Sequence, residues 1–108
     1  MHAIAHITGG GLTENIPRVL PDHCAASIEL GSWQLPAVFQ WLQQQGNIQE
    51  QEMLRTFNCG AGLVIAVNAN DADKVISEFN AQDISAWLIG SVIEKTNEDA
   101  VVYSGNLS

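Results

Sequence analysis

Three consecutive glycines, Gly9, Gly10 and Gly11, stand between Thr8 and the run Leu12-Thr13-Glu14-Asn15-Ile16-Pro17-Arg18. Glycine lets the backbone come close to a ligand, and amides at the start of a helix present N–H donors aided by the helix dipole. Such an arrangement can hold an anion, phosphate above all. Thr8 adds a hydroxyl, Asn15 a carboxamide and Arg18 a guanidinium whose planar fork suits phosphate or carboxylate. Each also has a simpler use: glycines after a strand make a turn, Asn15 can hold the shape of that turn, and Arg18 can pair with Glu14 one helical turn earlier. His6, beside the loop, can donate to a phosphate or move a proton, or it can be a solvated residue at a strand end.

A second polar run, Arg55-Thr56-Phe57-Asn58, leads into Cys59-Gly60-Ala61-Gly62. Arg55 and Asn58 are candidates for the same site, although a helix C-terminal cap explains Asn58 and Gly60 without a ligand. Glu50, Glu52 and the other carboxylates read as a solvated face, and His2 and His23 as surface residues. No pair of histidines, or histidine with carboxylate, has a spacing that by itself suggests a metal site. Cys24 and Cys59 lack metal-site or redox-motif spacing, so both read as reduced, structural thiols. No catalytic base can be assigned.

The elements that must position these residues follow from hydrophobic period. Residues 3 to 7 read as a strand, and Pro17 and Pro21 keep the helix after the glycines brief. Cys24, Ala26, Ile28 and Leu30 alternate with Ala25, Ser27 and Glu29, the period of a strand with one buried face. Leu35, Val38, Trp41 and Leu42 recur at helical spacing, Gly46 is placed to end that helix, and Asn47 can cap the next, from about 49 to 56. Leu63 to Val67 is apolar on both faces and predicts a strand in the middle of a covered sheet. Ala72, Val75, Ile76 and Phe79 mark an amphipathic helix that Asn70 or Asp71 can cap. Trp87 to Ile89 and Val92-Ile93 predict a strand bent at Gly90, and after a polar turn from Thr96 to Asp99, Val101 to Tyr103 pairs with it as a hairpin. The irregular alternation predicts an α+β domain, with helices on one side of a mixed or antiparallel sheet.

The chain's 108 residues suit one domain. A net charge of −8, from four Lys and Arg against twelve Asp and Glu, argues against nucleic acid and anionic membrane surfaces as partners. A mononucleotide phosphate remains compatible, because local amides and one arginine can bind it against the overall field. The sequence has neither an apolar stretch approaching the roughly 20 residues that span a bilayer nor a basic-then-apolar N-terminus, so the expectation is a soluble, cytoplasmic protein.

Taken as a unit, His6 to Pro21 resembles a signature of the phosphoribosylformylglycinamidine cyclo-ligases, the aminoimidazole ribonucleotide synthetases of purine biosynthesis. Met53 to Gly62 resembles a second signature of that family. Ser32-Trp33-Gln34-Leu35-Pro36, the helix through Trp41 and Ala86 to Gly90 are also similar to it, so the likeness covers nearly the whole chain. Family members are several hundred residues long, and the likeness is confined to their C-terminal third. It implies that residues 1–108 are the C-terminal portion of the synthetase C-terminal domain, without the N-terminal ATP-binding domain, with Met1 either a start inside a longer reading frame or the result of a proteolytic or natural truncation.

The resemblance also implies a reaction: formylglycinamidine ribonucleotide and ATP give aminoimidazole ribonucleotide, ADP and phosphate. The formyl-amide oxygen is phosphorylated, an internal nitrogen closes the five-membered ring, and magnesium neutralises the transferring group. ATP and Mg2+ would belong to the longer parent, with no tight binding to this fragment, which would be inactive alone. Its implied share is a part of the nucleotide site built from Thr8, Gly9, Gly10 and Gly11, with Asn15 and Arg18. The second signature would lie near the glycine loop and shape the same cleft. A parent homodimer is implied, and a truncated sheet would expose an edge for another copy to cover. The related fold serves formylglycinamidine synthetases, thiamine-phosphate kinases, selenophosphate synthetases and hydrogenase-maturation proteins. The alternative is a non-catalytic phosphate-binding or assembly module.

Overall fold

The computed structural model describes residues 3–96 and 98–107. Strand β1 (Ala3–His6) leads through the glycine loop to a short helix α1 (Gly11–Asn15) and a 3-10 turn that begins at Pro17. Strand β2 (Cys24–Glu29) is followed by helices α2 (Ala37–Gly46) and α3 (Glu50–Thr56), strand β3 (Leu63–Ala66) and helix α4 (Ala72–Ala81). Strands β4 (Gly90–Glu94) and β5 (Val101–Ser104) complete the chain. The class is α+β, as the sequence predicts.

Two small sheets divide the strands. β1 and β3 form an antiparallel pair with Ala5 opposite Val64 and His6 opposite Leu63. β2 is the centre of the other sheet, antiparallel to β4 and parallel to β5. The predicted β4–β5 hairpin therefore does not form. Ala25 and Ala26 are both buried, so β2 is covered on both faces and offers both edges. Lys95 N–H donates to the His23 carbonyl on one side, and Ala26 N–H to the Ala100 carbonyl on the other. The six-residue link at 95–100 crosses from one edge to the other instead of reversing in place. Asn97, in the predicted polar turn, lies outside the described residues.

Other departures from sequence periodicity have the same origin, tertiary placement. β3 has β1 as its strand neighbour, and Leu63 is 52% exposed, so this apolar run is not the middle of a covered sheet. Trp87 to Ile89 is irregular; the strand begins at Gly90, where any side chain would strike the Ser27 carbonyl of β2. In α2, Val38 and Trp41 are each 59% exposed, whereas Phe39 faces Phe57 with ring centroids 5.8 Å apart. Leu35 of the predicted stripe is buried ahead of the helix, which starts after Pro36, and within the helix Phe39 rather than Val38 or Trp41 turns toward the core. Asn47 ends α2 in a left-handed conformation (φ 50°), with Ile48 N–H reaching back to the Gln43 carbonyl; it does not cap α3, whose N-cap position is Gln49. Asp71 occupies the N-cap of α4 without a side-chain capping bond.

The core gathers Ile7, Leu12, Ile28, Leu35, Met53 and Leu54, all nearly inaccessible. Each buried side chain of this size contributes roughly 1.5–3 kcal/mol. Leu12 from α1 and Met53 and Leu54 from α3 belong to one cluster, so the core itself holds α1 against α3 and fixes the glycine loop between them.

Candidate functional site

β1 delivers the loop. Ile7, buried just past the strand, donates its N–H to the Gly62 carbonyl at 2.9 Å, and Gly11 N–H closes a turn on the Thr8 carbonyl at 3.0 Å. Gly10 and Gly11 have φ of 97° and 61°, values that glycine adopts without penalty. Gly11 is also required by contact. A side-chain carbon there would fall on the backbone carbonyls of Leu54 and Phe57, so the loop lies directly on the C-terminal end of α3. The two polar runs singled out in the sequence thus meet through backbone packing.

Asn15 organises the loop from within. It is 4% exposed, and its Nδ2 donates to the carbonyls of Thr8 (3.2 Å), Gly9 (3.3 Å) and Gly11 (2.8 Å). In a planar trans peptide the C=O and N–H point in opposite directions. Collecting these three carbonyls therefore turns the N–H groups of Gly9, Gly10 and Leu12 away from Asn15. Gly9 is exposed and Gly10 half-buried. Asn15 serves the loop's shape, one of the two uses left open by the sequence.

Arg18 does not pair with Glu14. Its Nη1 donates to Asn15 Oδ1 at 3.2 Å, and Thr8 Oγ1 approaches the same oxygen at 3.5 Å. Arg18 is exposed, which leaves a positive group beside the glycines. The Glu14 side chain lies against Gly10 and sets a carboxylate close to the same surface. An anion at this loop would feel both.

The remaining candidates sit around this centre. His6 is exposed at the end of β1. Arg55 is exposed on α3 and meets Glu52 at 3.9 Å, a surface pair of small energetic weight. The C-cap of α3 is Phe57 rather than Asn58, which makes its own tight turn: its Oδ1 accepts from Gly60 N–H at 2.8 Å and its carbonyl from Ala61 N–H at 3.0 Å. Between them Cys59 is fully buried at φ 54°, its carbonyl accepting from Trp33 Nε1 at 2.9 Å. Burial, and secondarily the Glu50 carboxylate, pushes the Cys59 thiol from 9.0 up to about 11, as suits a structural thiol. Cys24 is also a free thiol. His23 is exposed, and His2 lies outside the described residues.

Further contacts tie in residues that sequence reading did not assign to this region. Tyr103, from β5, shares a 2.8 Å hydrogen bond with Thr13 of α1. Its phenol is pushed above the ordinary 10.0 by burial, while the bond to Thr13 pulls the other way. Glu50 is no mere solvated carboxylate, because it accepts the Leu107 N–H at 2.9 Å. Nothing in spacing signals a contact between positions 13 and 103; the pairing exists only through the fold.

Residues 1–103 match the family described as AIR synthase related protein, C-terminal domain. The chain belongs to this family. AIR synthase-related proteins are in general ATP-utilising ligases and kinases, and the glycine loop and the turn at Asn58 both lie within the matched span. Among the described residues, the AIR synthase-related chain has hollows apart from the loop. One, about 380 Å3, is an apolar groove between β3, α4 and residues 84–90, and another, about 450 Å3, is edged by Gln40, Gln43, Gln44 and Asn47. Neither is lined by an ionisable side chain. Among the described residues no helix is long and apolar enough to cross a membrane, and no three His, Cys, Asp or Glu side chains converge as a metal site.

Proposed function

We propose that this chain forms part of the substrate site of a phosphoribosylformylglycinamidine cyclo-ligase and holds the phosphate of formylglycinamidine ribonucleotide at Thr8, Gly9, Gly10 and Gly11. The observation that carries this reading is the grip of Asn15 on three loop carbonyls, which turns the Gly9 and Gly10 amides away from Asn15 on a loop that has Arg18 beside it. The amides supply preorganised donors, and Arg18 supplies the compensating charge at the price of one hydrogen bond to Asn15. His6, exposed at the end of β1 just ahead of the loop, is the candidate for proton movement. Arg55 and Asn58 act through the α3 end that supports Gly11.

The reading assigns Mg2+ to the longer parent and not to the loop residues. Their part is to bind and orient the nucleotide, while the groups that handle ATP, Mg2+ and phosphoryl transfer come from the family's ATP-binding domain. The reading places the protein in the cytoplasm with its nucleotide substrate.

The test is a backbone-amide NMR titration with formylglycinamidine ribonucleotide and, separately, inorganic phosphate. Saturable shifts confined to Thr8 through Asn15, stronger with the nucleotide, are expected; a folded sample with no such shifts would sink the reading. Restored ring closure when the chain is joined to a cyclo-ligase ATP-binding domain distinguishes it from a non-catalytic phosphate-binding or assembly module. The isolated chain is expected to show no turnover.

A further inference from the structure

The loop's platform is tied to the end of the chain at two places. Tyr103 reaches from β5 to Thr13, two residues past Gly11 and two before Asn15, and Leu107 N–H reaches Glu50 at the start of α3. β5 lies parallel to β2 with Tyr103 opposite Ile28, a buried core residue, so its ring projects from the inner face of the three-stranded sheet. The glycine loop itself hangs from the other sheet through β1. The Thr13–Tyr103 bond therefore spans the two halves of the domain at the short helix that carries Asn15.

A five-residue helix has little stability of its own and takes its position from its contacts. On one side α1 is set by Leu12 in the core and by Gly11 on the α3 carbonyls. On the side of the three-stranded sheet, the phenol of Tyr103 holds it. We propose that Tyr103 is a positioning residue for the anion site: its hydroxyl, through Thr13 Oγ1, fixes the rotation of α1 and with it the aim of the Gly9 and Gly10 amides. This inference rests on reading the loop as a phosphate site. Tyr103 is half-buried and touches the loop only through Thr13, so its effect on an anion is indirect.

Tyr103→Phe keeps the ring and removes the hydroxyl, Thr13→Val keeps the shape and removes the other partner, and Thr13→Ser keeps the hydrogen bond. Two readouts are taken on each: hydrogen exchange of the amides from Gly9 to Glu14, and titration with inorganic phosphate followed at Gly9 and Gly10. Ser104→Ala, which loses a 2.9 Å bond to Glu29 on the exposed side of the same strand, serves as the control for general loss of stability. The expected result is that Tyr103→Phe and Thr13→Val each speed exchange across the loop and weaken phosphate binding about three- to tenfold. The double variant should be no worse than either single one, and Thr13→Ser and Ser104→Ala should behave like wild type. Unchanged loop exchange in Tyr103→Phe and Thr13→Val would overturn the proposal whatever phosphate does. Faster exchange in a protein whose wild type binds no phosphate would support the tether and defeat the anion reading instead.

Discussion

At the residue scale, the site is governed by groups whose hydrogen bonds are already committed. Asn15 holds three carbonyls with one amide nitrogen, so Asn15→Asp would face those oxygens with a carboxylate in a 4% exposed position. The expected loss is about 3 kcal/mol, against about 2 for Asn15→Ala, measured by urea unfolding with an unchanged slope. Tyr103 is the single tyrosine of the chain, so its phenolate is readable by absorbance. It should titrate above the ordinary value of 10.0, and because the Thr13 bond lowers its pKa, Thr13→Val should raise it further. Cys59 gives a second alkaline signature. A thiol at about 11 when folded and 9.0 when unfolded keeps its proton longer in the native state, so its stabilising effect is complete below pH 9 and is lost as pH rises toward 11. Stability should fall across that window by on the order of 2 kcal/mol from this group, and Cys59→Ala should flatten that part of the curve.

At the element scale, the same sequence run gives glycines with different duties. Gly11→Ala meets two backbone carbonyls of α3 that cannot move aside, at a φ that L residues avoid, and should destabilise by about 3 kcal/mol or more. Gly9→Ala meets nothing within 4 Å and should change stability by less than about 0.5 kcal/mol in thermal unfolding. β1, α1, β2, α3 and α4 were legible from period and punctuation, because each carries its own breaker or alternating pattern. The candidate loop was legible as well, since three consecutive glycines disfavour a regular element through all of them and mark a turn. The pairing of β4 and β5 was not. Local turn chemistry favoured a hairpin, whereas the alanine-rich β2 could bond on both sides and took the central place. Nor was the face of α2, which Phe39 turns toward Phe57 against the apolar stripe of Val38 and Trp41.

At the scale of the whole molecule, the chain is flat, with extents of 41 × 37 × 22 Å, and leaves strand edges open. The Ala25 and Ser27 backbones serve β4, so those of Gly90, Val92 and Glu94 point outward from the sheet, with Val92 50% and nearby Leu88 65% exposed. Such an edge invites pairing, and the chain is expected to self-associate. Sedimentation should show mass rising with concentration, with Val92→Lys holding it down; a constant monomer mass over a wide range would count against this. Sequence alone determined the α+β class, the glycine loop with its Asn15 and Arg18, and the likeness to a family of nucleotide enzymes, because propensity, charge and contiguous motifs are local properties. Only the tertiary structure decided that Asn15 braces the loop, that Gly11 rests on α3 and that Tyr103 reaches Thr13. The Gly11 and Tyr103 contacts join residues brought together by burial of a shared core, and no spacing along the chain encodes them, whereas the Asn15 brace is local and was one of two uses the sequence left open.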